Sequence, residues 1–235
     1  MPYIFQSNLG ITPTVLEIPY SSPTDEQIIR YLSSGGIRLE VNGAIRQSIS
    51  RQDQGMQAIM GVRACMAVAP LTERNKNASP PDSKELPLIC DERYIHGANQ
   101  AILIVATVGG GVEEKCAQLH KRGEYIDALV VDSIASAALD NAIWEIKKDL
   151  ISKTENLQVG YTLFPGINSM PLGFQRTIFE ILKPEKPIGV MLAESMLLVP
   201  IKSISAVIPM GYKLSCLGLK VDDSMLYAMG DSSSY

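Results

Sequence analysis

Three polar side chains recur at helical spacing in an otherwise apolar part of the chain. Asp132, Ser136 and Asp140 are each four residues apart, so on a helix they form one stripe. Buried carboxylates need partners, because an unpaired charge away from water is costly. The stripe therefore either faces a cationic ligand or a mobile loop, or it accepts hydrogen bonds from neighbouring backbone donors.

A run of three glycines at residues 109–111 is the second feature that could bind a ligand. It follows the apolar run at residues 101–108 and precedes a helical pattern, an arrangement that can hold a phosphate at a helix N-terminus. Glu113 and Glu114 oppose this function, because two negative charges in the first turn would repel a pyrophosphate. A tight turn is favoured, and a nucleotide-linked enzyme remains the alternative at this turn.

The other reactive side chains form no familiar catalytic or metal-binding pattern. His96 and His120 are the only histidines, and the four cysteines contain no Cys-x-x-Cys pair, which argues against a zinc or iron-sulfur site. The sequence contains no Gly-x-Ser-x-Gly elbow, paired-histidine motif or phosphate loop. We therefore predict no catalytic residue, no metal ligand and reduced, packed cysteines.

Helices and strands that could position these groups are suggested by periodicity and by turn residues. Thr24 is a potential N-cap, and the alternation around Asn42 and Gly43 predicts a β-hairpin over residues 37–51. The polar, proline-containing residues 74–86 predict a long exposed loop. The remaining predicted elements are a buried strand at 101–108, helices at 112–121, 125–151 and 172–182, and strands at 188–192 and 203–208.

Composition restricts the class of protein. With 235 residues, 46% hydrophobic content and a formal net charge of -4, the chain has the balance of a globular protein that can bury a core. The acidic balance argues against nucleic acid as the main partner. The first residues have no secretory-signal pattern, and no apolar run is long enough for a membrane span. We expect a cytoplasmic protein with no membrane partner.

A rigid corner lies between the long predicted helix and the next one. Residues 161–171, YTLFPGINSMP, contain two prolines and a glycine. Pro165 fixes its own φ, Gly166 can adopt a conformation that other residues avoid, and Pro171 can start the following helix. Such a corner can shape a groove for a ligand or a partner.

Several short motifs, read in order, resemble one family. They are ATVG (106–109), DSIASAA (132–138), FPG (164–166) followed by Pro171 and Gln175, AES (193–195) and VPIKSIS (199–205). From about residue 100 to residue 210 the chain resembles the activation domain of cobalamin-dependent methionine synthase, particularly its short stand-alone members. The first hundred residues match only loosely.

The resemblance implies a fold and a domain organisation. It implies an α+β fold with a twisted, mainly antiparallel sheet. Helices flank this sheet, and one of them is a long central helix. Residues 1–235 would form a single activation-domain-like domain, with a loosely matched part at 1–100, a family-like core at 101–214 and a flexible tail at 224–235.

The resemblance also implies a role in methyl transfer. Domains of this family bind S-adenosylmethionine and offer its methyl group to an oxidised cobalamin held by a neighbouring domain. This chain would then assist a corrinoid-binding protein or methyltransferase, with S-adenosylmethionine as a possible cofactor and cobalamin supplied only by the partner. The alternative is a non-catalytic binding or assembly module that kept the fold and lost the ligand.

The corner corresponds to the family's methionine-binding turn, and it departs from the pattern at three positions. Thr162 stands where an arginine grips the ligand carboxylate, Phe164 replaces a small residue, and Ile167 replaces a tyrosine. A hydroxyl offers one neutral hydrogen bond where an arginine would offer two charge-assisted ones. The resemblance implies a cleft between this turn and the strand end near residues 208–214, so the implied binding residues are Thr162, Phe164, Gly166, Ile167 and Leu214.

Overall fold

The computed structural model describes residues 11–34, 42–71, 94–153, 157–167 and 170–214. The helices in this part of the chain are α1 (Asp25–Ser34), α2 (Gly43–Ile59), α3 (Gly111–Lys121), α4 (Tyr125–Lys153), α5 (Phe174–Leu182) and α6 (Glu185–Ile188). The strands are β1 (Thr14–Ile18), β2 (Val62–Pro70), β3 (Gln100–Thr107), β4 (Gln158–Val159), β5 (Met191–Leu192), β6 (Leu198–Val199) and β7 (Ser203–Gly211).

One antiparallel sheet organises the fold. In the described part of the chain it has five strands in the order β1-β2-β3-β7-β4, and every neighbouring pair is antiparallel. Strands β5 and β6 form a separate two-stranded hairpin. The curled antiparallel sheet with its helices confirms the α+β prediction.

Helices cover both faces of the sheet and create two apolar layers. The larger core cluster contains residues of α1, α2 and α4, and we call its side of the sheet the α4 face. The smaller cluster contains α5 residues, and we call its side the α5 face. Strand β3 contributes alternately, with Ile104 to the α4 face and Leu103 to the α5 face. The predicted burial of this strand on both faces is therefore confirmed.

Helix α4 is the long central helix that the sequence predicts, and it continues to Lys153. It packs against α1, α2 and α3 as well as the sheet. Its buried side chains include Val131, Ile134, Ala135 and Ala138. The small alanines let neighbouring helices approach closely, which explains why α4 is buried around much of its circumference.

The predicted β-hairpin around Asn42 and Gly43 is wrong. Helix α2 begins at Gly43, and the Asn42 side chain caps it by accepting hydrogen bonds from the N–H groups of Ala44 (3.1 Å) and Ile45 (3.2 Å). Asparagine suits a helix N-cap as well as a hairpin turn. Helical spacing decides the outcome, because the buried side chains of α2 recur three and four residues apart.

The other sequence predictions have mixed outcomes. Thr24 does cap α1, since its hydroxyl accepts a hydrogen bond from the Gln27 N–H. In return, Gln27 Oε1 accepts a hydrogen bond from the Thr24 N–H at 2.8 Å. The strand predicted at 188–192 shortens to β5, because residues up to Ile188 form helix α6. The loop predicted at 74–86 and the tail predicted at 224–235 lie outside the described residues.

Helix α4 also carries a half-buried cation whose removal should stabilise the fold. Burial lowers the pKa of Lys147 from 10.5 to about 8, so between these values the unfolded chain binds more protons and stability rises with pH. We expect Lys147→Met to raise the free energy of unfolding at pH 7 by about 1 to 3 kcal/mol and to flatten this rise. Urea denaturation at pH 7 and at higher pH measures both effects.

The matched control is Lys148→Met on the same helix. Lys148 contacts Glu145 at 3.0 Å, and its side chain is about half exposed. Loss of such a surface ion pair should change stability by less than about 1 kcal/mol. Equal or lower stability of Lys147→Met than of the unmodified protein would contradict the prediction.

Candidate functional site

Residues 161–167 of the corner form a bend at the outer edge of the main sheet. Leu163 is bridged to Val207 of β7 by two backbone hydrogen bonds, of 2.8 and 2.9 Å. Beyond it the Ile167 N–H donates to the Phe164 carbonyl at 2.9 Å, and the Gly166 N–H donates to the Met170 carbonyl at 2.8 Å. Gly166 has a φ of +89°, a conformation that favours glycine.

A one-residue bulge separates β4 from the bend. Val159 pairs with Met210, and Leu163 pairs with Val207, so residues 160–162 oppose only residues 208 and 209. A bulge bends the strand and lets two successive side chains lie on one side of the sheet. Gly160 fits this position because an added Cβ would lie 3.1 Å from the Pro209 carbonyl oxygen.

The bend distributes its side chains between both faces of the sheet. Tyr161 and Leu163 belong with the smaller cluster on the α5 face, whereas Phe164 packs against the larger cluster on the α4 face. Because alternate residues of an extended chain point to opposite sides, Thr162 lies on the same side as Phe164. The bulk of Phe164 therefore fills part of the core.

Thr162 carries a buried polar atom that lacks a partner among the described residues. Its Oγ1 is shielded from water and makes no hydrogen bond there. A buried hydroxyl without a partner costs about 1 to 3 kcal/mol, and most buried polar groups in folded proteins are paired. Among the described residues, Thr162 thus presents an unused donor and acceptor within the bend.

The outer part of the bend exposes apolar side chains. Ile167 is 49% exposed and Leu172 is 45% exposed. Leu172 lies against the glycine of the bend, since a Cβ added at Gly166 would be 3.3 Å from Leu172 Cδ1. The outer part of the bend is therefore accessible, and the bend lies beside β7.

Leu214, the fifth predicted binding residue, lies beside Gly160 and Gln158. Its N–H donates to Gln158 Oε1 at 2.7 Å, and its Cδ1 would lie 3.6 Å from a Cβ added at Gly160. That added Cβ would also be close to Pro209, whose strand neighbour Ala101 belongs to the α5 face. Thr162, Phe164, Gly166 and Ile167 thus lie along the bend, and Leu214 lies beside the bulge at Gly160.

Gln175 is not among the binding residues predicted from the sequence. It lies in the first turn of α5, is only 5% exposed, and donates from Nε2 to the Met196 carbonyl at 3.3 Å. Its Oε1 is buried and has no partner among the described residues. The burial and hydrogen bonding of this side chain depend on the packing of α5 against the turn between β5 and β6, which the sequence alone does not indicate.

The predicted polar stripe on α4 binds a cation supplied by the chain itself. Lys202 Nζ contacts Asp132 Oδ2 and Ser136 Oγ, both at 2.8 Å. Asp140 accepts a hydrogen bond from the Tyr31 hydroxyl, and its pKa is raised mainly by burial. Lys202 immediately precedes β7, so the stripe fixes the loop that leads into the strand beside the bend.

The glycine run at residues 109–111 has a packing role. A Cβ added at Gly111 would lie 2.6 Å from the Ile59 carbonyl oxygen, so glycine permits the close approach of α2 and α3. The Glu113 carboxylate accepts from the Ile201 N–H and so ties α3 to the Lys202 loop. Both observations give this turn a structural purpose.

Reactive thiols and metal clusters are not apparent in the described part of the chain. Cys65 is buried and Cys116 is half-buried, and neither forms a disulfide. Burial raises the pKa of Cys65 to about 11 and also raises the pKa of Cys116. No group of three or more potential metal ligands occurs among the described residues. None of the helices described there has the length and apolarity needed to cross a membrane.

Comparison with solved structures identifies a similar fold. A crystal structure of the MetH reactivation domain bound to AdoHcy superimposes with a TM-score of 0.57 at 14% sequence identity, covering 85% of this chain and 78% of that chain. At this identity the likeness shows a shared fold. No protein-family model matches the sequence, and no curated protein matches it.

Proposed function

We propose that this protein is a stand-alone, activation-domain-like unit that assists a corrinoid methyltransferase system and binds S-adenosylmethionine for reductive remethylation. The partner holds the cobalamin, and this chain supplies the methyl donor and a docking face. Residues 1–235 act as one unit in the cytoplasm. Any enzymatic activity would belong to the cobalamin-dependent methyltransferase system that it forms with its partner.

The observation that supports this proposal most directly is the similarity to the MetH reactivation domain over 85% of the chain. That neighbour was crystallised with AdoHcy, S-adenosylhomocysteine, the product that remains after the methyl group leaves. The bend adds support, because it lies at the sheet edge, is accessible at Gly166 and Ile167, and carries at Thr162 a water-shielded hydroxyl that has no partner among the described residues.

The chain's own residues would bind the donor without a charged clamp. In the proposed complex the ligand carboxylate reaches Thr162 Oγ1, which is shielded from water in the ligand-free structure, and accepts one hydrogen bond from it. Ile167 supplies apolar contact in place of a tyrosine ring. A hydrogen bond to a charged group contributes about 1.5 to 3 kcal/mol, less than a bidentate arginine pair provides. Binding should therefore be weaker than a site with the arginine would give. Leu214 remains a prediction for the far end of the cleft.

A second candidate function is a non-catalytic assembly module that keeps the fold and binds no donor. Phe164 favours it, because that side chain packs into the core cluster where the family has a small residue. Pull-down with a corrinoid protein separates the two candidates. Capture together with S-adenosylmethionine binding supports the first, capture without ligand binding supports the second, and failure of both contradicts the shared premise of a corrinoid partner.

Substitution of Thr162 tests whether its hydroxyl contacts the ligand. Thr162→Val removes a buried oxygen without a described partner, so we expect the ligand-free protein to gain about 1 kcal/mol of stability. The same change should weaken S-adenosylmethionine binding by about tenfold or more, because it removes the hydrogen bond to the carboxylate. Urea denaturation and calorimetry measure the two effects.

Ser136→Ala provides a hydroxyl control outside the bend. Ser136 bonds to Lys202 and lies on α4, so its loss should leave ligand affinity within about twofold while lowering stability by about 1 kcal/mol. An unchanged affinity in Thr162→Val would remove Thr162 from the proposed site.

A further inference from the structure

The hairpin of β5 and β6 exposes apolar side chains on its outer side. Leu192 and Leu198 pair with each other and pack against the cluster on the α5 face. Met191 and Val199 form the next pair, so their side chains point to the opposite side of the hairpin. We define the hairpin face by its four exposed apolar residues, Met191, Leu197, Val199 and Ile201, each between 41% and 66% exposed.

The composition of the hairpin face is that of an interaction surface. A hairpin with one side on the core normally turns polar residues to water on the other side. Here the directly opposed Met191 and Val199 are both apolar, and opposed side chains of an antiparallel pair are close enough to touch. A contiguous apolar patch of this kind marks a binding site, and methionine adapts readily to a partner surface.

The hairpin face is fixed at both of its ends. At the turn between β5 and β6, the buried Gln175 side chain donates from Nε2 to the Met196 carbonyl at 3.3 Å. At the other end, the Glu113 carboxylate accepts from the Ile201 N–H, and Lys202 is bound to the polar stripe on α4. A surface that is ordered before binding loses less conformational freedom when a partner docks.

Direct contacts connect the hairpin face to the bend. Leu172 lies against Gly166 of the bend, and the Leu172 carbonyl accepts from the Gln175 N–H at 3.1 Å. Gln175 in turn bonds to Met196 in the hairpin. Leu172 and Ile167 are themselves exposed, so apolar surface continues from the hairpin toward the bend.

The size of this surface favours a transient partner. The hairpin face together with Ile167 and Leu172 offers six exposed apolar residues, whereas a stable interface takes about 20 to 30 residues from each side. Small interfaces are typical of short-lived complexes. A permanent dimer of this chain would need more surface than the hairpin face provides.

The charges beside the hairpin face also argue against a second copy. Glu194 is exposed in the turn between β5 and β6, and Glu113 borders the opposite end at Ile201. The charge of Lys202 is matched by Asp132 at 2.8 Å. The rim is therefore acidic, and a two-fold dimer through the same patch would bring two acidic rims together. A partner with a basic rim fits better.

We propose that the hairpin face is the docking surface for the corrinoid-binding partner, and that the partner's matching surface is apolar at its centre and basic at its rim. This inference rests on the proposed function and adds the surface through which the partner binds. A partner seated there lies beside the bend, where the proposed function places the methyl donor.

The test measures binding of the full-length protein to a cobalamin-dependent methionine synthase from which its own activation domain has been removed. Combining Met191→Ser with Val199→Ser should raise the Kd by about tenfold or more, because both changes remove apolar contact at the centre of the face. Ile126→Ser is the matched control, since Ile126 is 53% exposed and Met191 54%, but Ile126 lies in the first turn of α4. Its Kd should stay within about twofold of the unmodified protein.

Glu194→Lys tests the charge of the rim without removing apolar surface. Against a basic partner it should raise the Kd by about threefold or more at about 0.02 M salt. The effect should shrink at about 0.5 M salt, because ions screen exposed charges. Tighter binding by Glu194→Lys would overturn the basic rim. Circular dichroism shows whether each variant keeps its fold, and Glu194→Lys still tests the face if the double variant does not.

The outcomes separate this inference from the function on which it rests. If the unmodified protein binds the probe and both the double variant and Glu194→Lys bind it equally well, the hairpin face is not the docking surface and the proposed function stands. If sedimentation shows a dimer that the double variant dissociates, the face binds a second copy and the inference is overturned. If the unmodified protein does not bind the probe, the corrinoid partner fails together with this surface.

Discussion

Gly97→Ala should lower the free energy of unfolding by about 3 kcal/mol or more. Gly97 has a φ of +82°, and an added Cβ would lie only 1.9 Å from the Lys213 carbonyl oxygen. A left-handed conformation costs a non-glycine residue about 1 to 2 kcal/mol, and the clash with rigid backbone adds overpacking strain of about 1 to 3 kcal/mol. Urea denaturation followed by circular dichroism measures the loss.

Gly109→Ala is the matched control for this substitution. Gly109 has nearly the same φ, +85°, but an added Cβ would meet no atom within 4 Å. Its substitution should therefore cost only the conformational part, about 1 to 2 kcal/mol. If the two variants were equally stable, the close contact between the Gly97 turn and residues 213 and 214 would not exist in solution. The position of Leu214 depends on that contact.

Leu163→Ala should destabilise the protein by about 3 kcal/mol. Leu163 is fully buried in the cluster on the α5 face, and it is the residue that attaches the bend to Val207. Truncation of a buried leucine to alanine typically costs about 2 to 5 kcal/mol, because it removes apolar contact and leaves a cavity. The midpoint of urea unfolding reports the change.

Leu172→Ala tests whether the effect depends on burial. Leu172 lies on the other side of the bend and is 45% exposed, so its truncation should cost less than about 1 kcal/mol. A large loss in Leu172→Ala with a small loss in Leu163→Ala would mean that the bend packs against the sheet in a different way from the one described.

Long periodic segments made much of the fold predictable. The apolar run of β3 and the Ala-rich pattern of α4 extend over many residues, so each contains enough repeats to identify its type. Asn42 and Gly43 could not identify the type of their element, because these two residues fit both a hairpin turn and a helix N-cap. The choice between them is made by the packing of Ile45 and Ile49 in the α4 face cluster.

The candidate site was only partly predictable. The rigidity of the bend follows from Pro165 and Gly166, which act locally. Leu214 lies beside Gly160, in a one-residue bulge that changes the alternation of side chains. No local pattern in the sequence predicts this bulge. The unused oxygen of Gln175 depends on a contact with Met196, 21 positions further along the chain.

Direct titration of the full-length protein with S-adenosylmethionine tests the central claim. Isothermal titration calorimetry should show saturable binding to one site per chain, with a Kd below about 1 mM, which corresponds to about -4 kcal/mol. Thr162→Val, measured in parallel, should shift this Kd upward by about tenfold or more. The absence of any heat of binding at millimolar ligand would contradict the claim that this protein handles a methyl donor.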